Sequence, residues 1–190
     1  MFEIYSHTEK KKYKYSDYAA LDDDKRYELI DGELIMSPAP SSLHQWSHSG
    51  LDYLIMDYVN KRNLGKVFSA SPDIIFDDDN TVQPDIVFIS NENFPKIKKK
   101  GIFGAPDLVV EIISPGSLRR DRYIKKELYE KYGVKEYWLV DFEMKSIEVF
   151  KNTGSHFELF SLAVEKGKIE SCLLPEIEIM IEDIFPDFEF

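Results

Sequence analysis

DLVVEIISPGSLRRDRYIKKELYEKYG, residues 107–133, sets an apolar run against a break and then a long polar segment. The run 108–113 is Leu, Val, Val, Glu, Ile, Ile, and it reads as a strand covered on both faces. Glu111 stands inside it. Even a neutral polar group buried without partners costs about 2–7 kcal/mol. This carboxylate therefore needs a cation, a hydrogen-bond network or a watered cleft, unless the strand lies at an edge with Glu111 facing out. Ser114-Pro115-Gly116 breaks the chain. A helix follows over 117–132, closed by Gly133 in the position of a left-handed cap. At about 100° per residue, its apolar stripe holds Leu118, Leu128, Tyr129 and Tyr132, with Ile124 at the edge. Asp121 and Lys125 fall in the middle of that stripe, four apart and able to pair. A buried ion pair that only fixes packing would explain them. The chemical alternative aims Lys125 over the sheet at Glu111.

Upstream, Gln83-Pro84-Asp85 opens the apolar run Ile86, Val87, Phe88, Ile89. Pro84 fixes the start of this strand, and Asp85 heads it, a place where Asp is often a turn residue. A further strand is expected over 66–70, continuing into 73–76, with a polar tip at 77–80 and a basic loop at 96–100. Leu43, Trp46, Leu54 and Val59, with Ser47, Leu51, Ile55 and Tyr58, predict a helix over 42–60. Before it, strands at 27–30 and 33–36 flank Asp31-Gly32, a two-residue hairpin signal. A short polar helix precedes that hairpin, and Pro38 and Pro40 stop its second strand. Downstream come a strand at 136–140, a hairpin of 147–150 and 156–161 around Asn152-Thr153-Gly154, a strand near 176–180 and a last helical turn near 181–185. From 42 onward the order is helix, three strands, helix, strand, which predicts a mixed α/β fold. One domain over 1–190 is expected, with its core at about 42–141.

The whole chain of 190 residues is 43% apolar, with 13 Phe and 11 Tyr, enough to build a core. Cys172 is the single cysteine, which excludes an internal disulfide and a thiolate zinc cluster and suits a reducing cytoplasm. The start of the chain has no long apolar stretch, and no run is long enough for a bilayer. A soluble, cytoplasmic protein without a membrane partner is expected. The net charge of −11 argues against a protein that coats nucleic acid. It leaves room for a site of carboxylates that takes its positive charge from a divalent ion.

Asp85 and Glu111 on neighbouring strands can share magnesium, and a Lys125 ammonium beside them can orient water or stabilise developing charge. At these residues the sequence resembles the PD-(D/E)XK nuclease superfamily, and more closely the Uma-type restriction endonuclease family. The matching stretches are YELIDGELI (27–35), SLHQ with His44, QPDIVFI (83–89), APDLVVEIISP (105–115), DRYIKKELYEKYGVKEYWLVD (121–141) and LLPEIEI in the tail. The resemblance implies a restriction endonuclease-like α/β fold with an αβββαβ core: a mixed central sheet flanked by helices, an N-terminal hairpin and C-terminal strands. It implies a metal-dependent endonuclease that hydrolyses phosphodiester bonds in DNA with Mg2+ or Mn2+. Asp85 and Glu111 would be metal ligands and catalytic, with Lys125 as the catalytic cation. The superfamily motif asks for Lys at the position of Ile113, and here Lys125, four after Asp121, takes that part as it does in the family. Asp121 is a supporting residue, and either Glu28 or Glu33 is a candidate for an additional acid. The resemblance also implies a homodimer. A nuclease fold that has lost catalysis and serves binding or regulation is the alternative.

His44 and His48 share a helix face and could hold zinc, but Gln45 stands where a metalloprotease carries its Glu. His44 is kept as a candidate to touch the nuclease site. Arg119 and Arg122 are candidate phosphate contacts in a cluster with Arg120. The aromatic tail 185–190 reads as core or dimer contact.

Overall fold

A computed structural model describes residues 11–37 and 39–185. Pro38, and the tail beyond Phe185, lie outside them. The first helix, α1 (Tyr15–Tyr18), leads into the hairpin β1 (Arg26–Ile30) and β2 (Glu33–Ser37). Asp31 and Gly32 take φ of 48° and 75°, the pair of left-handed residues that a two-residue hairpin turn requires. Next comes α2 (Ser42–Arg62). Ser41 Oγ accepts from His44 N at 3.2 Å at its start, and Asn63 closes it in the left-handed region. No helix among the described residues is long and apolar enough to cross a membrane.

The expected strand over 66–76 is in fact two. Its first part is β3 (Gly65–Ser69) and its second β4 (Ile74–Asp77), and they belong to different sheets. Ala70 and Ser71 between them have φ of 69° and 57°, which swings the chain away. Then follow β5 (Asn80–Val82) and β6 (Ile86–Ser90). The expected basic loop is a small hairpin, β7 (Ile97–Lys98) and β8 (Gly101–Phe103). The apolar run with its Glu is β9 (Leu108–Ile113), buried at every position. A π-helical segment (Arg120–Lys125) runs into α3 (Lys126–Tyr132), capped by Gly133 at φ 79°. The chain ends with β10 (Glu136–Asp141), β11 (Ser146–Asn152), β12 (Phe157–Val164) and the short pair β13 (Lys168–Ile169) and β14 (Ile179–Met180).

The central sheet has the order β12-β11-β10-β9-β6-β3, with β9 and β10 parallel and the other neighbours antiparallel. A helical crossover between β9 and β10 is what parallel neighbours demand. The second sheet runs β2-β1-β5-β4-β8-β7. Side chains alternate across β9. Leu108, Val110 and Ile112 pack with Leu51 and Ile55 of α2 and with the C-terminal segment. Val109 and Ile113 pack with Leu128 and Tyr129 of α3 and with Ile74 and Val82 of the second sheet. Glu111 falls on this latter face.

One buried carboxylate anchors the C-terminal segment to the central sheet. Glu136, with no exposed surface, accepts from Trp138 Nε1 at 2.6 Å, Ser171 Oγ at 2.7 Å, Cys172 N at 2.8 Å and Leu173 N at 3.1 Å. Glu136→Ala removes the acceptor of all these donors at once. It should lower unfolding stability by about 3 kcal/mol or more, read from urea denaturation. A loss under about 1 kcal/mol would mean that the donors are satisfied without it.

Candidate active site

Asp85 and Glu111 meet because of strand register. Ile86 pairs with Val110 across β6 and β9, so the next residues outward, Asp85 and Glu111, stand opposite each other. Directly opposed residues of an antiparallel pair share a face. Asp85 Oδ2 accepts from Ile112 N at 2.8 Å and lies 3.3 Å from His44 Nε2. His48 Nε2 sits 3.1 Å from the Asp85 carbonyl oxygen. A carbonyl only accepts, so that nitrogen carries the proton. The two histidines thus bracket Asp85 from α2 rather than converging on one point. Burial pushes the Asp85 carboxyl up, but the hydrogen bond and charge of His44, the Ile112 amide and the Lys125 charge outweigh it and hold it below its ordinary value. Asp85 is ionised at neutral pH.

Lys125 is 2% exposed, and its ammonium lies 2.6 Å from Glu28 Oε1, 2.8 Å from Glu111 Oε1 and 3.8 Å from Asp121 Oδ1. Burial disfavours that charge, yet Glu111, Glu28 and Asp121 together raise its pKa. Glu111 Oε1 also accepts from the Tyr129 hydroxyl. Burial drives the Glu111 carboxyl well above the usual range, Lys125 opposes this, and Asp121, Asp85 and Glu28 add to it. Asp121 is raised in the same way, by burial first.

The helix that carries Asp121 and Lys125 departs from a regular α-helix. Over Arg120–Lys125 it widens to π geometry, a local form frequent at functional sites. The Tyr137 hydroxyl from β10 donates to the Asp121 carbonyl at 2.9 Å, the kind of side-chain insertion that disturbs a helical ladder. Asp121 and Lys125 both face inward, each 2% exposed. Leu118 and Ile124 face outward, 44% and 39% exposed, although regular helical spacing places Leu118 on the apolar stripe and Ile124 at its edge.

These side chains enclose a cavity of about 60 Å³, enough for a few waters or a hydrated ion and too small for a nucleotide. Glu28, His44, Asp85, Glu111, Asp121 and Lys125, all legible as candidates in the sequence, line it together. Glu33 does not line it; it lies on β2 opposite Ile30. Glu28 on β1 is the acid delivered here, and its Oε1 also accepts from Gln83 N at 3.0 Å, two residues before Asp85. Arg122 lies against Glu148 at 2.6 Å and Arg119 is exposed, neither lining the cavity. Two other arginines do so: the exposed Arg26, with Nε 3.4 Å from Gln83 Oε1, and Arg120, with Nε 3.4 Å from Glu28 Oε2 and 3.7 Å from Asp121 Oδ1. Sequence reasoning named Arg120 only within the arginine cluster and Tyr129 only within the apolar stripe, and assigned neither to the cavity. Tyr129 did carry a signal, four residues after Lys125 on the same stripe.

Among the described residues no group of three or more His, Cys, Asp or Glu side chains forms a ready metal cage. Two hard oxygen donors are nevertheless available. Asp85 and Glu111 each commit one oxygen to the protein, leaving Asp85 Oδ1 and Glu111 Oε2 without a hydrogen bond among the described residues. Magnesium is commonly held by one or two carboxylates, with waters and phosphate oxygens completing its shell. The residues present fit such an ion.

The acid surplus has a measurable cost. A carboxyl raised in the folded state favours folding most at low pH, and that contribution fades as pH climbs from about 4.5 through the raised folded value. Glu111→Gln should therefore raise the thermal midpoint at pH 8 by a few degrees, about 2–4 °C for each kcal/mol, and change it little at pH 4. Thermal unfolding at both pH values checks this; a lower midpoint at pH 8 would mean that the Lys125 pairing outweighs the desolvation.

Comparison with solved structures finds the same fold elsewhere. The chain superposes on the crystal structure of "a putative nuclease belonging to DUF820" from Anabaena variabilis with TM-score 0.74 and 20% identity, over 90% of this chain and 97% of that one. At that identity the likeness speaks for the fold alone. The type IIG restriction endonuclease BpuSI gives TM-score 0.37 and 16% identity, over 63% of this chain and 13% of that one, too slight a likeness to place any element. No curated protein matches the sequence. The Uma2 family model, described as "Putative restriction endonuclease", matches residues 14–186. A match that begins just ahead of α1 and ends past β14 makes this chain a member of the Uma2 family.

Proposed function

We propose that this protein is a metal-dependent endonuclease that hydrolyses phosphodiester bonds in DNA, with Mg2+ or Mn2+ held by Asp85 and Glu111. The observation that carries the reading is the pairing of these two carboxylates across β6 and β9, each with an oxygen to spare, beside a buried ammonium. A divalent ion bound there supplies a polarised phosphoryl oxygen and a water of lowered pKa. Asp85 is already ionised and fixed by the Ile112 amide, so it is pre-oriented to receive a cation. Lys125 keeps its proton, because three carboxylates raise its pKa. It is therefore a charge donor to the developing phosphorane or an orienter of water, and not the base. Glu28 and Asp121 hold that ammonium in place, and Glu28 also fixes the backbone just ahead of Asp85. The whole chain acts as one domain in this reading, and cutting both strands of a duplex calls for a second copy. One observation favours the rival reading of a binding or regulatory protein without catalysis: Lys125 already bridges Glu28 and Glu111, so the site is partly neutralised from within.

A cleavage assay on duplex and single-stranded DNA with Mg2+ or Mn2+ separates the two. Wild type should cut, and Asp85→Asn and Glu111→Gln should each lose about 10²-fold or more while keeping their circular dichroism. Calorimetric titration of Mn2+ should show binding to wild type and its loss in Asp85→Asn. Wild type inert on every substrate and blind to Mn2+ would leave the binding protein as the reading.

A further inference from the structure

An acidic chain with an acidic site needs some other place to hold a polyanion, and the second sheet carries one. The segment 91–104 has four lysines against a single acid, Glu92, in a chain whose net charge is −11. The lysines cluster on the β7–β8 hairpin. Lys98, Lys99 and Lys100 are exposed, with Lys99 and Lys100 forming the two-residue turn, and none makes an ion pair among the described residues. Although the chain has 35 acidic residues, those among the described residues leave these three ammoniums unneutralised.

The hairpin is also rigidly seated. Lys96 Nζ donates to the Ala105 carbonyl at 2.7 Å across its base, and Ile102 N and Gly104 N donate to the carbonyls of Asp73 and Ile75 at 2.8 Å each. Gly101 is needed for this fit: at φ 153°, a Cβ there would lie 2.7 Å from the Asp73 carbonyl oxygen. Lysines on an edge strand can serve simply to block sheet-to-sheet aggregation. Such guarding needs charge along the strand, whereas two of these three lysines project from the turn.

We propose that the β7–β8 hairpin is an arm that grips the phosphate backbone of a nucleic acid whose neighbouring stretch lies at the Asp85–Glu111 site. This rests on the nuclease reading for the second half of that statement only. In the strand order, β7 stands four places from β1, which carries Glu28. At about 4.8 Å per strand, with a small offset along the strands, the lysines lie about 20 Å from Glu28. A duplex strand advances about 3.4 Å per nucleotide, so the arm engages only chains of about six nucleotides or more.

The test is fluorescence anisotropy with labelled DNA of 4, 12 and 24 base pairs, in Ca2+, across a salt series. The proteins are wild type and the triple variant Lys98→Glu, Lys99→Glu, Lys100→Glu, with the triple Gln variant beside it. The three side chains are exposed, and matching thermal midpoints would confirm an intact fold. The Glu variant should bind the longer duplexes at least tenfold more weakly. Its slope of log affinity against log salt should shrink by about 0.9 for each phosphate that the hairpin no longer neutralises. The Gln variant should fall between, and the shortest duplex should distinguish none of them. Unchanged affinity and slope on the long duplexes would overturn the proposal and leave the lysines as edge guards. Loss of binding to anionic phosphatidylserine vesicles with DNA binding intact would overturn it equally. Binding through the hairpin without cleavage by wild type would keep the arm and remove the nuclease reading; cleavage with a hairpin of no effect would do the reverse.

Discussion

The buried ammonium of Lys125, shared between Glu28 and Glu111, is the contact on which the arrangement depends. It joins three parts of the fold: β1 of the second sheet, β9 of the central sheet and the π-helical segment. Charged side chains are almost never fully buried unless paired. Each partner here justifies the burial of the others. Remove the lysine, and carboxylates on two sheets face each other without compensation, a change of the kind that costs about 3–5 kcal/mol. The contact is not an efficient way to stabilise the fold, since apolar residues of equal volume are often as stabilising as a buried ion pair or more so. Its value lies in position: a fixed charge in the lining of a cavity that Asp85 lines too.

The rest of the molecule keeps that wall still. β9 is buried along its length, paired with β10 throughout and with β6 over Leu108–Val110, and the Ile112 amide is held by Asp85, so the backbone at Glu111 is fixed. Asp107, one residue before β9, accepts from Ser90 N at 2.8 Å and pairs with Lys135 at 2.7 Å, tying the starts of β9 and β10 to the end of β6. Glu136 then binds the C-terminal segment against the α2 side of the same sheet. Rigid strands whose side chains are locked by further hydrogen bonds are what a site needs if its reacting geometry is to be held ready.

The sequence showed these strands because charge in an apolar run is conspicuous. Glu111 inside β9, and Asp121 with Lys125 inside a helical stripe, are legible from burial cost alone, and the Asp-Gly turn fixed the first hairpin. What was hidden depended on geometry that spacing does not encode. The helix widens to π geometry over Arg120–Lys125, where a Tyr137 hydroxyl arrives from β10, and a uniform 100° rotation misplaces Leu118 and Ile124. The division of 66–76 between two sheets rests on left-handed Ala70 and Ser71, residues with no intrinsic liking for that region. Glu28 and Glu33 are equivalent in a hairpin read alone. Only the packing of β1 beside β5, which puts Glu28 near Gln83 and Lys125, distinguishes them.

Charge balance links the site to the molecule's surface. Four carboxylates line the cavity, against Lys125, Arg120 and the exposed Arg26, and the first two of these already lie against Glu28 and Asp121. A phosphodiester arriving there meets more carboxylates than fixed cations, and at contact distance in a partly buried site each unscreened pair of like charges costs about 4 kcal/mol. On the proposed reading, a divalent ion reverses that sign locally, and the hairpin lysines supply the attraction at range. The two cations act at different distances, which is how an acidic protein can hold a polyanion without a basic active site. On that reading much of the affinity resides in a part of the chain remote from the chemistry, so metal at the cavity would govern whether a bound strand is cut, and the hairpin how tightly it is held.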